Sequence, residues 1–498
     1  MTAADAPLWF DAGRPSAQAR AAVELLATAA SHGLEPQDYD ALVLRQAVVQ
    51  ATQGAAPGAI APLEQALSAA MQRYLSDLHH GRIDPRLIHP TFAPPPREAF
   101  DAAAALQSAL ATGRLLEAER EARPQLPLYE RLREALARYR ELAGHAAWQQ
   151  PLPALPGARP GKLEPGQAYA GLALLAQRLA AVGDLAPDGP PPRYEGRLVE
   201  AVAAFQQRHG LNPDGVIGQA TWAALQVTPA TRVRQIELAL ERLRWTPLLQ
   251  APRMIVINIP EFVLRAYEVQ DGRIQVRQEM NVIVGKAMDT RTPLIMEPMR
   301  FIEFSPYWNV PPSIARGELV PRLRRDPGYF AQQGFEFVAA DGGVSSALSA
   351  AQLDAVLAGR SRIRQRPGPH NALGDIKFVF PNRDNIYLHH TPSIGLFGRE
   401  RRDFSHGCIR VEAPVALAQF VLQAMPEWSE ERIRAAMAAG TSATLRLSEP
   451  LPVLIAYGTT LVKGGRTYFF DDIYGHDRRL DAALQGRTLG SLLTQDRP

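Results

Sequence analysis

The sequence predicts a multidomain α+β protein, with a helical first third, a small helical module and a mainly-β second half that carries a partly helical insert. Three observations predict it. The chain has 498 residues, more than a single hydrophobic core ordinarily serves. Residues 1–150 are rich in Ala, Leu, Arg and Glu and place apolar side chains at helical spacing, as over 21–30 and 106–116. From Met254 onward the period changes to short β-branched and aromatic runs separated by turn residues.

Taken in order, residues 1–150 form a helical scaffold region whose helices are joined by short turns such as His32-Gly33-Leu34, with no fixed-period repeat. Pro151, Pro153, Pro156, Pro160 and Pro165 interrupt every period, so 151–166 is a Pro-rich linker. A small module follows at 167–228. Its helices are expected over 169–182, 196–209 and 220–225, with a Pro-rich loop at 186–192 and a turn at Asn212-Pro213-Asp214-Gly215. Phe205 and Trp222 are assigned to packing inside it. A connecting helix at 229–250 is clearest over 233–243. The β domain spans 251–450, with strand runs at 254–259, 262–267, 281–285, 301–304, 376–380 and 386–389. Between Asn309 and Arg366 the strand pattern stops, which places an insert at about 313–365, with 349–357 its clearest helix. Residues 451–498 form a C-terminal extension expected to pack on the scaffold.

Composition narrows the function classes. An apolar fraction of 46% with 21% charged residues belongs to packed globular domains and not to a disordered chain. A net charge of +3 with no basic block gives little reason to expect nucleic acid, whereas a mildly basic surface suits an anionic wall polymer or carboxylate-bearing peptides equally well. No apolar run long enough to span a bilayer occurs, and the first twenty residues lack a basic segment followed by an apolar one, so no export signal is legible. The chain has one cysteine, which removes an internal disulfide and a multi-thiolate zinc site. Cys408 is therefore either a reactive thiol or a small buried hydrophobe.

Ser405-His406-Gly407-Cys408-Ile409-Arg410-Val411 is the most informative stretch, and Tyr387-Leu388-His389-His390-Thr391-Pro392 lies upstream of it. Thiol catalysis needs an imidazole that takes the thiol proton or stabilises the thiolate. His389 ends a β-branched run and Cys408 opens a stretch leading to a helix, so strand end meets turn. Gly407 lets the backbone turn before the nucleophile, and amides around Gly407 and Cys408 suit an oxyanion. His389, His406 and Cys408 could also be drawn as a three-ligand zinc site, but the spaced motif accounts for all three without a metal. A papain-like peptidase would place Cys before His, opposite to the order here.

These residues resemble the YkuD-type L,D-transpeptidase catalytic domain. The resemblance extends through Tyr307-Trp308-Asn309-Val310-Pro311-Pro312, Arg366-Pro367-Gly368-Pro369-His370-Asn371 and Phe378-Val379-Phe380-Pro381-Asn382 to large, scaffold-bearing members with a substrate-capping insert. Phe205-Gln206, Gly210-Leu211, Asp214-Gly215 and Trp222 resemble a three-helix peptidoglycan-binding module. The resemblance implies Cys408 as nucleophile, His389 as general base and acid, the backbone carbonyl of His390 as its orienting group, His406 as a supporting histidine and Gly407 as turn and oxyanion residue. It implies substrate contacts at Arg410, Ser405, Tyr387, Trp308 and Asn309. The implied activity is a cysteine acyltransferase that forms 3-3 cross-links between peptidoglycan stem peptides in cell-wall biogenesis, without metal or organic cofactor. Carbapenem sensitivity, periplasmic location and cell-wall synthesis proteins as partners follow from the same resemblance. Two alternatives remain at this level: an L,D-carboxypeptidase using the same thioester, and a non-catalytic peptidoglycan-binding scaffold protein.

Overall fold

Capping residues, which apolar spacing does not reveal, set the starts of the helices Ala17–Ala27, Ala102–Thr112 and Pro229–Trp245. The structure is a computed structural model that describes residues 8–486, apart from 55–56, 93–98, 158–160, 187–188, 190–191, 247–250 and 289. Pro160 of the linker, most of the loop 186–192, the junction 247–250 and the end of the C-terminal extension lie outside the described residues. Ser16 Oγ accepts from the Ala19 amide at 3.2 Å and starts the helix Ala17–Ala27. The Asp101 carboxylate accepts from the amides of Ala103 and Ala104 and starts Ala102–Thr112. The periodic stretch 106–116 is not one helix: Gly113, at φ 72°, closes the first, and Leu115–Ala122 begins the next.

The chain divides into two compact units. One comprises Met1–Pro90, Pro94–Leu248 and Gly458–Pro498. Within it, Trp9, Leu26, Leu67, Met71, Leu75 and Leu115 belong to one core shared by the scaffold helices, including the long Pro57–His80. A second core holds the small module, in which Leu175, Leu179, Leu198, Val202 and Phe205 face inward from Leu172–Ala181 and Arg197–Arg208. Trp222 packs on that core and donates its indole N–H to the Pro153 carbonyl, so both aromatics serve packing. The connecting helix Pro229–Trp245 starts where the Thr228 hydroxyl caps it. Its Arg244 is fully buried and donates to Glu241 at 2.7 Å, the His32 carbonyl at 2.5 Å and the Tyr129 hydroxyl at 3.1 Å. The extension contributes the hairpin Thr460–Lys463 and Arg466–Phe469 and the helix His476–Leu484. It is fastened by Gln235 to the carbonyls of Thr459 and Phe470, and by Arg242 to Asp477.

The other unit comprises Thr91–Ala93 and Leu249–Tyr457. Its main sheet has nine described strands, in spatial order Asp403–Ser405, Arg273–Gly285, Ile409–Val411, Leu388–His389, Ile376–Val379, Ile295–Phe304, Ala443–Ala456, Arg253–Asn258 and Val263–Gln270. The last of these also pairs with Arg273–Gly285, so the sheet closes on itself. The strand Ala443–Ala456 runs past residue 450, and the chain leaves this unit only after Tyr457. Among the described residues no helix is long and apolar enough to cross a membrane.

The insert corrects an expectation. The strand pattern does not stop between Asn309 and Arg366: a separate four-stranded sheet runs Trp308–Asn309, Ser361–Gln365, Phe335–Ala339, Val344–Ser345. Its alternation was hidden because Arg362 and Arg364, which flank the buried Ile363, are charged residues on a short strand. Helices Val320–Arg325 and Ala350–Leu357 pack with it around Leu323, Phe330, Phe337, Leu353 and Ile363, so the insert is α+β with a core of its own.

Candidate active site

Strand register brings together residues far apart in the chain. Lys377 lies opposite His389, and His389 opposite Arg410, across the adjoining strands Ile376–Val379, Leu388–His389 and Ile409–Val411. Alternation buries Ile376, Phe378, Leu388, Ile409 and Val411 on the core side and leaves Lys377, His389 and Arg410 sharing the other face. Glu303, opposite Lys377, extends the row, with its carboxylate 3.1 Å from Lys377 Nζ. Tyr387 sits two residues before His389 on the same face, its ring 5.7 Å from the imidazole and 4.3 Å from Lys377 Nζ.

Cys408 immediately precedes Ile409, whose amide donates to the Tyr387 carbonyl at 3.1 Å. Cys408 is thus level with Tyr387 and diagonal to His389 on the neighbouring strand. The half-buried thiol donates to the Asn385 carbonyl at 3.7 Å and interacts with the Tyr387 hydroxyl. In this state its acceptor is therefore a backbone oxygen and not His389. Asn385 adopts φ 53°, a left-handed conformation that Asn tolerates. The loop bearing it is braced by Asn382, whose side chain accepts from the amides of Asp384 and Ile386 and donates to the carbonyls of Phe380 and Ile386.

The turn before the thiol is tied internally. Ser405 Oγ accepts from the Gly407 amide at 3.2 Å and donates to the Cys408 carbonyl at 2.5 Å, while Thr292 donates to the Gly407 carbonyl at 2.7 Å. Gly407 has φ 114°, open to glycine and strained for other residues. The Gly407 amide is engaged with Ser405, whereas the Cys408 amide, next to the thiol, makes no hydrogen bond among the described residues.

His389 is buried, and its Nδ1–H donates to the His390 carbonyl at 2.6 Å, which leaves Nε2 as the basic nitrogen. Burial pulls its pKa from 6.5 down to about 3, with the Arg410 charge acting in the same direction. Burial also pushes the Cys408 thiol above its ordinary value, opposed by Tyr387, Lys377 and Arg410. Both groups are consequently neutral at pH 7. Arg410 Nε is buried without a hydrogen-bond partner among the described residues.

Residues 252–445 of the chain match the family described as the L,D-transpeptidase catalytic domain, and Cys408, His389 and the whole row beside them fall inside the match. The chain carries an L,D-transpeptidase catalytic domain. Residues 170–225 match a family described as "Putative peptidoglycan binding domain", and residues 2–136 match one described as a scaffold domain. A Haemophilus influenzae protein named "Putative L,D-transpeptidase" is 33% identical over 229 residues. That match takes in 46% of this chain and 45% of the relative, so it spans less than half of either protein.

Within this L,D-transpeptidase domain Cys408, His389, Tyr387 and Arg410 converge, whereas other candidates lie elsewhere. Ser405 is buried, with its hydroxyl bonded within the turn, so it braces the loop. His406 points to the insert, where Nε2 lies 2.6 Å from Glu318. Trp308 and Asn309 pair with Gln365 and Arg364 and anchor the insert's sheet. The side chain of His390 turns away from the thiol, its Nδ1 2.7 Å from Asp375, so an imidazole next to the base does not crowd the site. Sequence reasoning missed Lys377, Glu303, Asn385 and Thr292. Lys377 and Glu303 left a local signal, each a charged residue alternating with apolar ones, Ile376 and Phe378 in the first case and Ile302 and Phe304 in the second.

Proposed function

We propose that this chain is a peptidoglycan L,D-transpeptidase in which Cys408 is the nucleophile and His389 the proton carrier. The observation that supports this best is the pairing of a half-exposed thiol with a neutral imidazole on adjoining strands, its Nδ1–H fixed on a carbonyl and its Nε2 free. Donor binding displaces the thiol from Asn385 toward Nε2. His389 takes the thiol proton as Sγ attacks the carbonyl between the diamino acid and the terminal D-Ala of a tetrapeptide stem. The Cys408 amide stabilises the oxyanion. The C–N bond breaks, His389 returns the proton to the leaving D-Ala amine, and a thioester remains. The side-chain amine of a second stem then attacks the thioester and gives a proton to His389. The C–S bond breaks, and the thiolate regains that proton with a 3-3 cross-link formed. Arg410, with an uncommitted Nε, suits a substrate carboxylate. The place of action is the periplasm, and a carbapenem would acylate the same sulfur.

Intact-protein mass spectrometry with a tetrapeptide donor tests the reading. The wild type gains the acyl group with loss of D-Ala, mapped to Cys408, and Cys408→Ala gains nothing. No adduct on the wild type, or one that survives in Cys408→Ala, refutes it. An accumulation of hydrolysed tripeptide in place of cross-linked product would assign the domain to the carboxypeptidase reaction.

A further inference from the structure

Arg316, Arg360 and Arg362 surround a cavity of 350 Å³ in the insert, with Val338, Val356 and Ile363 in its walls. Three separate elements supply the guanidiniums: the wide helical turn Ala315–Leu319, the turn after the helix Ala350–Leu357, and the strand Ser361–Gln365. The neighbouring acids are engaged elsewhere: Glu318 with His406, Glu336 with Arg364, and Asp354 with Arg324. Asp341 accepts from the Gly343 amide. Among the described residues the three arginines have no acidic partner. All three are solvent-exposed, and together they give the rim of the hollow a positive charge that an anion would offset.

The cavity is separate from the catalytic cleft. Glu318 reaches the catalytic loop through His406, and Arg316, two residues earlier on the same turn, faces roughly half a turn away. Guanidinium forks match carboxylates, and the exposed apolar lining from Pro312, Ala339 and Ala340 suits the methyl groups of a peptide better than it suits a bare phosphate chain.

We propose that this cavity is a second peptide site, taking a carboxylate-bearing stem of the cell-wall polymer other than the donor held at Cys408. The inference rests on the reading that the domain acts on stem peptides. A stem docked there belongs to the acceptor strand, and its tethering raises the effective concentration of the neighbouring acceptor amine at the thioester.

Full-length wild type, Arg316→Gln/Arg360→Gln/Arg362→Gln and the corresponding triple Lys variant are compared with an oligomeric and a monomeric muropeptide acceptor. The expected result is unchanged donor adduct formation, with an apparent KM for the oligomeric acceptor raised about tenfold in the Gln variant and largely restored in the Lys variant. The KM for the monomeric acceptor should move less. An unchanged oligomer KM in the Gln variant overturns the proposal. Absence of a donor adduct on the wild type sinks the underlying functional reading instead, and thermal melts of the three proteins verify that each is folded.

Discussion

Lowering the pH from 7 to 4.5 should loosen the strands around His389, and that residue sets the size of the effect. Its imidazole is only 4% exposed and titrates at about 3 instead of 6.5, because burial denies the imidazolium its water and Arg410 repels it. In the unfolded chain the same ring titrates near 6.5. Below that value the unfolded state binds a proton that the folded state refuses, so stability falls as pH falls, from about 6.5 down to about 3. The slope is about 1.4 kcal/mol per pH unit, which at pH 4.5 amounts to about 3 kcal/mol. The assay is hydrogen exchange on peptides covering Leu388–His389 and Ile409–Val411 in wild type and His389→Gln, at both pH values. Wild type should lose about 3 kcal/mol more local stability than the variant, since glutamine does not titrate. Parallel losses in the two proteins would refute the assignment of the neutral buried imidazole.

Two further outcomes follow from backbone and burial. Gly407→Ala places a β-carbon 3.2 Å from Ile386 Cδ1 at φ 114°. The strain is about 1–3 kcal/mol. The protein should remain folded while donor acylation slows at least tenfold, and an unchanged acylation rate would show that the turn tolerates a side chain. Arg244→Met removes the cation inside the scaffold unit and leaves Glu241 with only the amides of Arg82 and Ile83. Urea unfolding should report a loss of about 3–5 kcal/mol, and a loss below about 1 kcal/mol would mean that the buried carboxylate becomes protonated at little cost.

The sequence made the fold class legible because each half keeps one period over long stretches, and the motif made the pair Cys408 and His389 legible because its spacing is local. What it hid depends on register. Glu303, Lys377, His389 and Arg410 form one row only because four strands from separate parts of the chain align at those positions, and no window of sequence contains that alignment. The insert's strands were hidden for a different reason: Phe335–Ala339 and Ser361–Gln365 are short, and arginine occupies alternate positions of the second. The bracing by Ser405 was hidden because a hydroxyl beside Cys408 reads alike whether it faces outward or folds back on its own turn.

Burial of His389 and Cys408 also constrains how the domain can work. A pre-formed thiolate–imidazolium pair would need Cys408 below, and His389 above, the positions at which burial holds them. Lys377 and Arg410 favour a thiolate, yet each also disfavours an imidazolium, so the cationic row does not stabilise the ion pair as a unit. On the proposed roles, charge separation is therefore deferred until a donor carbonyl is in place, when proton transfer to Nε2 and attack by sulfur occur together. The resting thiol then stays protonated and weakly reactive toward small electrophiles, and reactivity is conferred by the substrate that displaces it from Asn385.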